Sequence, residues 1–199
     1  MARAVETGKR DTGTREKLLD ATAEIILQEG YAAATSRRVA EKVGVQRAVV
    51  YYYFPTMDDL FLAVLERGTR ATLDSQRRAL SSDRPLHSLW ELTVDPRGTQ
   101  LLMEFMALGN HRKAIRAELA AGAERFRDAQ IAALTSMERC DDDVPALPSE
   151  VVSVLIAAIG RLIVLESALG ISTGHDATLK LVNQFLERYE VDSSSAASC

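Results

Sequence analysis

The residues of this chain best suited to a chemical task lie between Thr35 and Tyr53. Gln46, Arg47, Ala48 and Val49 are consecutive. A glutamine amide can pair bidentately with adenine and an arginine fork with guanine, while small apolar side chains can touch a thymine methyl. Tyr51, Tyr52 and Tyr53 follow, with hydroxyls that can meet phosphate oxygens, a contact that positions without reading sequence. The other use for these rings is core packing, with Tyr53 or part of Tyr51 turned inward. Thr35, Ser36 and Arg37 stand at the start of a preceding helix, where backbone N–H groups and the helix dipole favour a phosphate. Such a set suits double-stranded DNA, provided that the chain can present it on one rigid face.

Two short helices crossing steeply would do so, and the spacing of three residues fits them. Ala40 supplies a small residue where the second helix presses on the first. Gly44, four positions on, tolerates the positive φ of a tight turn. Val50, six further on, anchors the second helix inward, and Val39, Val43 and Val45 fill the other inward positions. Two surface helices joined by a glycine would not need this spacing together with apolar inward and polar outward sites. A helix over 14–29 precedes the pair, with Leu18, Leu19, Ile25, Ile26 and Leu27 as its buried stripe and Gly30 as its end. Pro55 stops the second helix of the pair, and Thr56 with Asp59 forms a capping box that opens a fourth helix reaching about Leu80.

The net charge of −4 looks wrong for a DNA binder until it is divided along the chain. Residues 1–68 hold 10 Lys/Arg and 10 Asp/Glu, and residues 69–199 hold 14 and 18. Within residues 36–53, Arg37, Arg38, Lys42 and Arg47 face only Glu41. Attraction to phosphate is therefore local. Arg3, Lys9 and Arg10 fit a flexible arm along DNA or, equally, a solvated tail.

At this point the stretch TREKLLDATAEIILQEGYAAATSRRVAEKVGVQRAVVYYYFPTMDDLFLAVLERG resembles the N-terminal domain of the tetracycline-repressor (TetR) family. The features are EGY closing the first helix, Thr35 before the second, VAEKVGV through the turn, and VYYYFPTMDDL running into the fourth helix. The resemblance implies a dimeric, all-helical, ligand-responsive transcriptional regulator, usually a repressor. By position it makes Thr35, Ser36 and Arg37 backbone and base contacts, Gln46, Arg47, Ala48 and Val49 base readers, and Tyr51, Tyr52 and Tyr53 phosphate contacts. Met57 departs from the lysine often found there, so a phosphate contact is lost and the helix N-terminus is left to serve.

Beyond Pro85 the expected helices cover 86–94, 96–109, 111–139, 149–169 and 175–189, with a loop over 140–148. The apolar run over 151–171 carries Arg161 and Glu166, which are costly at membrane depth, so a buried helix is expected and no membrane partner. Val151, Val154, Leu155, Ala158, Leu162 and Leu165 cover more than one of its faces. Leu179, Val182, Phe185 and Leu186 share one side of the last helix. Burial within one subunit and burial against a second are both open to such a pair, and the second gives a two-fold, four-helix homodimer interface. Trp90, Met103, Phe105, Met106 and Phe126 are the candidate ligand-lining residues. A closed core would use the same side chains, and the pocket is implied chiefly by the resemblance.

Enzymatic chemistry finds little support. His87, His111 and His175 stand apart with no HExxH or Cys/His cluster, and there is no GxSxG, GxxxxGK[ST] or GxGxxG. Asp141–Asp143 reads as a solvated loop rather than a cation site. No metal and no cofactor is expected. Two cysteines without a CxxC partner, and an opening segment without an apolar run, fit a reduced cytoplasmic setting.

The expectation is an all-α chain with a flexible arm at 1–11, a three-helix helix-turn-helix DNA-binding domain at 12–66, a helical effector-binding and dimerisation domain at 67–190, and a disordered tail at 191–199. Its expected partners are a palindromic operator, a second copy and a small apolar effector that releases DNA. A helical small-molecule-binding enzyme and a DNA-binding protein without an effector are the alternatives.

Overall fold

The computed structural model describes residues 2–136 and 147–196, and every element among them is helical. Helix α1 spans Ala2–Glu29, followed by a 3-10 turn at Tyr31–Ala33, α2 at Ser36–Val43 and α3 at Arg47–Tyr53. Then come α4 (Met57–Leu80), α5 (Pro85–Thr93), α6 (Pro96–Gly109), α7 (Lys113–Ser136), α8 (Ser149–Ala168) and α9 (His175–Ala196). Helix α1 begins twelve residues before the expected start at residue 14, through the segment expected as a flexible arm, and α9 continues into the expected tail. Extending a formed helix gains one hydrogen bond for each residue fixed, so weak flanking residues can be recruited. Residues 140–146 of the expected loop, with Cys140 and Asp141–Asp143, lie outside the described residues. So do residues 197–199 and the side chains of Arg3, Lys9, Arg10 and Tyr189.

The chain divides into two compact units, residues 1–70 with 100–121, and residues 71–99 with 122–199. The first differs from the expected DNA-binding domain by recruiting residues 100–121. The reason is apolar: Phe105, Leu108 and Ile115 are buried in the same core as Leu18, Ile25, Val39 and Val50. Two polar contacts fix the addition. Glu104 Oε2 accepts the Tyr31 N–H at 2.8 Å, and Gln100 Nε2 donates to the Leu27 carbonyl at 2.8 Å. Expected ligand-lining residue Phe105 is thus a core residue of the first unit.

In the second unit, α8 turns Val152, Ile156 and Gly160 toward α5 and α9, where Leu86, Leu89, Val182 and Leu186 complete the core. At Gly160 the helices approach so closely that a Cβ would stand 2.5 Å from Thr93 Cγ2. Arg84, preceding α5, gives it no side-chain cap. Glu190 of α9 supplies one instead: Oε1 accepts the N–H groups of Leu86 and His87 at 2.8 and 3.1 Å, and Oε2 meets Arg84 Nε at 3.1 Å and His87 Nδ1. At the turn into α9, His175 Nε2 lies 2.8 Å from Glu166 Oε2. Val182 and Leu186, expected at a subunit interface, are buried within the chain itself.

Candidate nucleic-acid interface

The geometry of the helix pair follows from the residues at its crossing. Ala40 and Val50 are 3% and 1% exposed, and both helices bury these residues in one apolar core. Gly44 closes α2 at φ 76°, where its N–H bonds to the carbonyls of Ala40 and Glu41 and the Val45 N–H returns to Ala40. A left-handed cap of this kind satisfies orphan carbonyls and reverses the chain in a few residues. Thr35 caps the other end of α2, its Oγ1 accepting the Arg38 N–H at 3.2 Å. The Thr56–Asp59 box is closed in both directions, with Thr56 N–H donating to Asp59 Oδ2 at 2.9 Å and Asp59 N–H to Thr56 Oγ1 at 3.1 Å.

The outward face is a selection from the expected residues. Gln46, Arg47, Ala48, Tyr51 and Tyr52 are exposed, and so is Arg37, whose Nε lies 3.5 Å from Glu41 Oε1. Tyr52 is 74% exposed and stands edge-on to Tyr53, which packs partly against the core. Val49 is half-buried. Ser36, expected to meet a phosphate, is buried with its hydroxyl turned between the helices. Its Oγ accepts Arg47 Nε at 2.8 Å and the Tyr51 hydroxyl at 3.1 Å, while Arg47 Nη2 donates to the Tyr51 oxygen at 3.1 Å. The guanidinium also lies over the Tyr51 ring. Hydrogen bonding with Ser36 first, then with Arg47, holds the Tyr51 hydroxyl below its ordinary pKa. Arg47, the strongest candidate base reader, is therefore folded back onto a cleft of about 350 Å³ lined by Ser36, Tyr51, Met57 and Arg112 among others.

The local positive charge is also partly answered from within. Arg38 forks onto Glu29 and Lys42 pairs with Glu24, both carboxylates of α1. The bond to Arg38 lowers the Glu29 pKa. Both cations brace α2 against α1, a role that charge counting along the sequence does not separate from DNA contact. Met57 is half-buried against the core, and the α4 N-terminus it opens is already occupied by the capping box and by Asp58, which pairs with Arg112 at 2.9 Å. Acidic groups there oppose a phosphate.

The candidate ligand residues are not brought together. Phe105 is in the core of the first unit, Met106 is half-exposed, Met103 and Phe126 are partly buried, and Trp90 lines a separate apolar cavity in the second unit. Among the described residues no group of His, Cys, Asp and Glu side chains is arranged to hold a metal ion. One side of α8 is left uncovered, with Val151, Val154, Leu155 and Leu162 each 40–54% exposed and Ala158 among them. By length and composition alone α8 could cross a membrane. Its other side, however, is built into the core of the second unit.

Residues 18–64 match the sequence profile of bacterial regulatory proteins of the tetR family. The HTH-type transcriptional activator FasR of Mycolicibacterium smegmatis is 36% identical over 66 residues, 33% of this chain and 30% of that protein. The HTH-type transcriptional repressor AcnR of Corynebacterium glutamicum is 31% identical over 61 residues, 31% and 32% of the two chains. The match thus spans about a third of the length of these relatives. In fold the likeness is wider. A TetR transcription regulator from Haloarcula marismortui superposes with a TM-score of 0.69 at 21% identity, covering 90% of this chain and 97% of that one. A protein from Saccharomonospora viridis in complex with choline gives 0.71 at 20% identity, covering 88% and 96%.

Proposed function

We propose that this chain, whose residues 18–64 match the tetR family of bacterial regulatory proteins, is a homodimeric repressor whose two α3 helices enter successive major grooves of a palindromic operator. The observation that carries this reading is the outer face of α3. Arg47, Ala48, Tyr51 and Tyr52 are exposed on one face of α3, with Gln46 exposed at its N-cap, while Val50 on the other side is buried in the same core as Ala40. Half-sites about 34–36 Å apart, or somewhat more, suit two such heads. Repression is supported by the names of relatives such as AcnR and KstR, although FasR is an activator. A regulator of this kind works in the cytoplasm, where the DNA is.

The second copy is proposed to cover the exposed side of α8. Val151, Val154, Leu155, Ala158 and Leu162 recur at three and four residues, one continuous apolar stripe that a soluble monomer would leave in water. A small-molecule effector in the second unit is supported by an apolar cavity of about 230 Å³ lined by Trp90, Ile156, Ile159 and Phe185 among others. Fold neighbours bound to choline and, in the multidrug binding protein EbrR, to imidazole support it too. Such an effector releases DNA only as far as it binds the non-DNA form more tightly.

Sequencing genomic fragments captured by the purified protein tests the reading. An inverted repeat shared by the enriched fragments is expected, and a reporter driven from such a fragment should fall when the protein is present. No enrichment, or a site without two-fold symmetry, would overturn the operator assignment.

A further inference from the structure

Among the described residues of the second unit, two half-buried arginines stand near one another without an acidic partner. On α8, Ser153, Ala157 and Arg161 are spaced by four residues and share one face. On α7, Arg127 and Gln130 are three residues apart, again on one face. The two faces are fastened together, because Ser153 Oγ donates to Gln130 Oε1 at 2.6 Å and both side chains are buried. Each fastened face thus carries an arginine.

Among the described residues, neither arginine pairs with an acid. Arg127 Nη1 is enclosed and makes no hydrogen bond. Arg161 is half-buried, and burial first, then the nearby charge of Arg127, lowers its pKa, with no carboxylate among the described residues acting the other way. Glu166, further along α8, is engaged by His175. A guanidinium cannot shed its proton at ordinary pH, so two half-buried ones close enough to repel each other remain charged. Gln76 adds a second enclosed atom without a partner. Its Nε2 donates to the carbonyl of Phe126, the residue before Arg127, and its Oε1 is enclosed without a donor.

We propose that the second unit binds a small organic anion between Arg127 and Arg161, and that this anionic group is what identifies the effector. The proposal rests on reading this unit as the effector domain, and it changes the expected ligand from purely apolar to one with an acidic head. A carboxylate or phosphate fits, since either accepts the parallel N–H pair of a guanidinium fork and cancels the repulsion between the two cations. A hydroxyl or protonated nitrogen next to that group would satisfy Gln76 Oε1.

Thermal unfolding of the full chain without DNA tests this, with sodium octanoate, sodium benzoate and inorganic phosphate as probes and 1-octanol as the neutral control. At least one anion should raise the midpoint saturably, by about 5 °C or more at about 100 times its Kd, and octanol should not match it. Phosphate acting alone would identify a phosphoryl head, and octanoate or benzoate acting without phosphate would identify a carboxylate. Arg127→Met and Arg161→Met should each remove the shift. Arg161→Lys, which keeps the charge and loses the fork, should reduce it and serves if the methionine variants do not fold. The proposal is overturned if none of the three anions shifts the midpoint, or if the shift survives in the variants. Genomic capture by the same preparation keeps the two questions apart, because DNA enrichment without anion binding removes this inference and leaves the regulator standing.

Discussion

Arg47 Nε donates to Ser36 Oγ at 2.8 Å, so the first residue of α3 is tied to the first residue of α2 across the turn between them. The bond fastens the helix pair in addition to the apolar core that Ala40 and Val50 share, and it engages the best base-reading side chain within the protein although Arg47 remains exposed. To reach a guanine, Arg47 must exchange Ser36 and Tyr51 for O6 and N7.

Arg47→Ala should weaken binding to the captured operator by about 1–3 kcal/mol if the side chain reads a guanine. Ser36→Ala should cost about 1 kcal/mol of stability while affecting operator affinity less, because it removes the bond to Ser36 and not the reader. The double variant should then bind no worse than Arg47→Ala alone. Fluorescence anisotropy against operator and scrambled duplexes decides the matter, since an equal loss on both would reduce Arg47 to a phosphate contact.

Tyr51 offers a spectroscopic check on the same cluster. Its hydroxyl is held below the usual value near 10 by hydrogen bonding with Ser36 and Arg47. The folded chain therefore releases this proton more readily than the unfolded chain, and stability linked to Tyr51 grows as pH rises through the window below 10. That contribution is fully present only above the unfolded pKa, is lost as pH falls through the folded one, and is absent at neutral pH. In an ultraviolet titration one tyrosine should ionise ahead of the others, and Ser36→Ala should return it toward them. An unchanged titration curve would mean that the cluster does not persist in solution.

What could be read from the sequence was what its neighbours along the chain decide. Ala40, Gly44 and Val50 lie within eleven residues, and the turn they specify depends on a small side chain, a positive φ and an inward valine, all local properties. The capping box at Thr56 and Asp59 was legible for the same reason. Phe105 is different: its apolar character fits any core, and only the fold decides that it packs with Leu18 and Ile25. Ser36 illustrates a finer limit, because helix position places it at the DNA but not which way its hydroxyl turns. Arg38 and Lys42 look like phosphate ligands until Glu29 and Glu24 are seen across the interface. The N-terminal cap of α5 comes from Glu190, about a hundred residues away, where no local pattern could announce it.

That cap can be weighed directly. Glu190→Ala would leave the Leu86 and His87 N–H groups without their acceptor and Arg84 without its carboxylate. Hydrogen bonds to a charged group contribute more than neutral ones, so a loss of about 2–3 kcal/mol is expected, or roughly 4–12 °C in midpoint for a chain of this size. Glu190→Gln, which keeps one acceptor oxygen, should lose less. Equal midpoints for wild type and Glu190→Ala would show that Leu86, Leu89 and Trp90 hold α5 unaided.

The two sides of α8 and α9 should respond to substitution in opposite ways. Leu162 is 54% exposed and belongs to the uncovered stripe, whereas Leu186 is fully buried in the core of its own chain. Leu162→Glu places a charge where a second copy is proposed to sit, and burying it unpaired would cost more than the stripe gains. Sedimentation at micromolar concentration should show a dimer for the wild type and a monomer for Leu162→Glu. The variant should keep its helical content but lose the tight grip on a two-fold operator, since one head alone engages one half-site. Leu186→Ala should instead lower stability by about 2–5 kcal/mol through the cavity it leaves, with the surviving folded fraction still dimeric. A wild-type monomer, or a Leu162→Glu dimer that binds the operator normally, would remove α8 from the interface and make DNA binding independent of it.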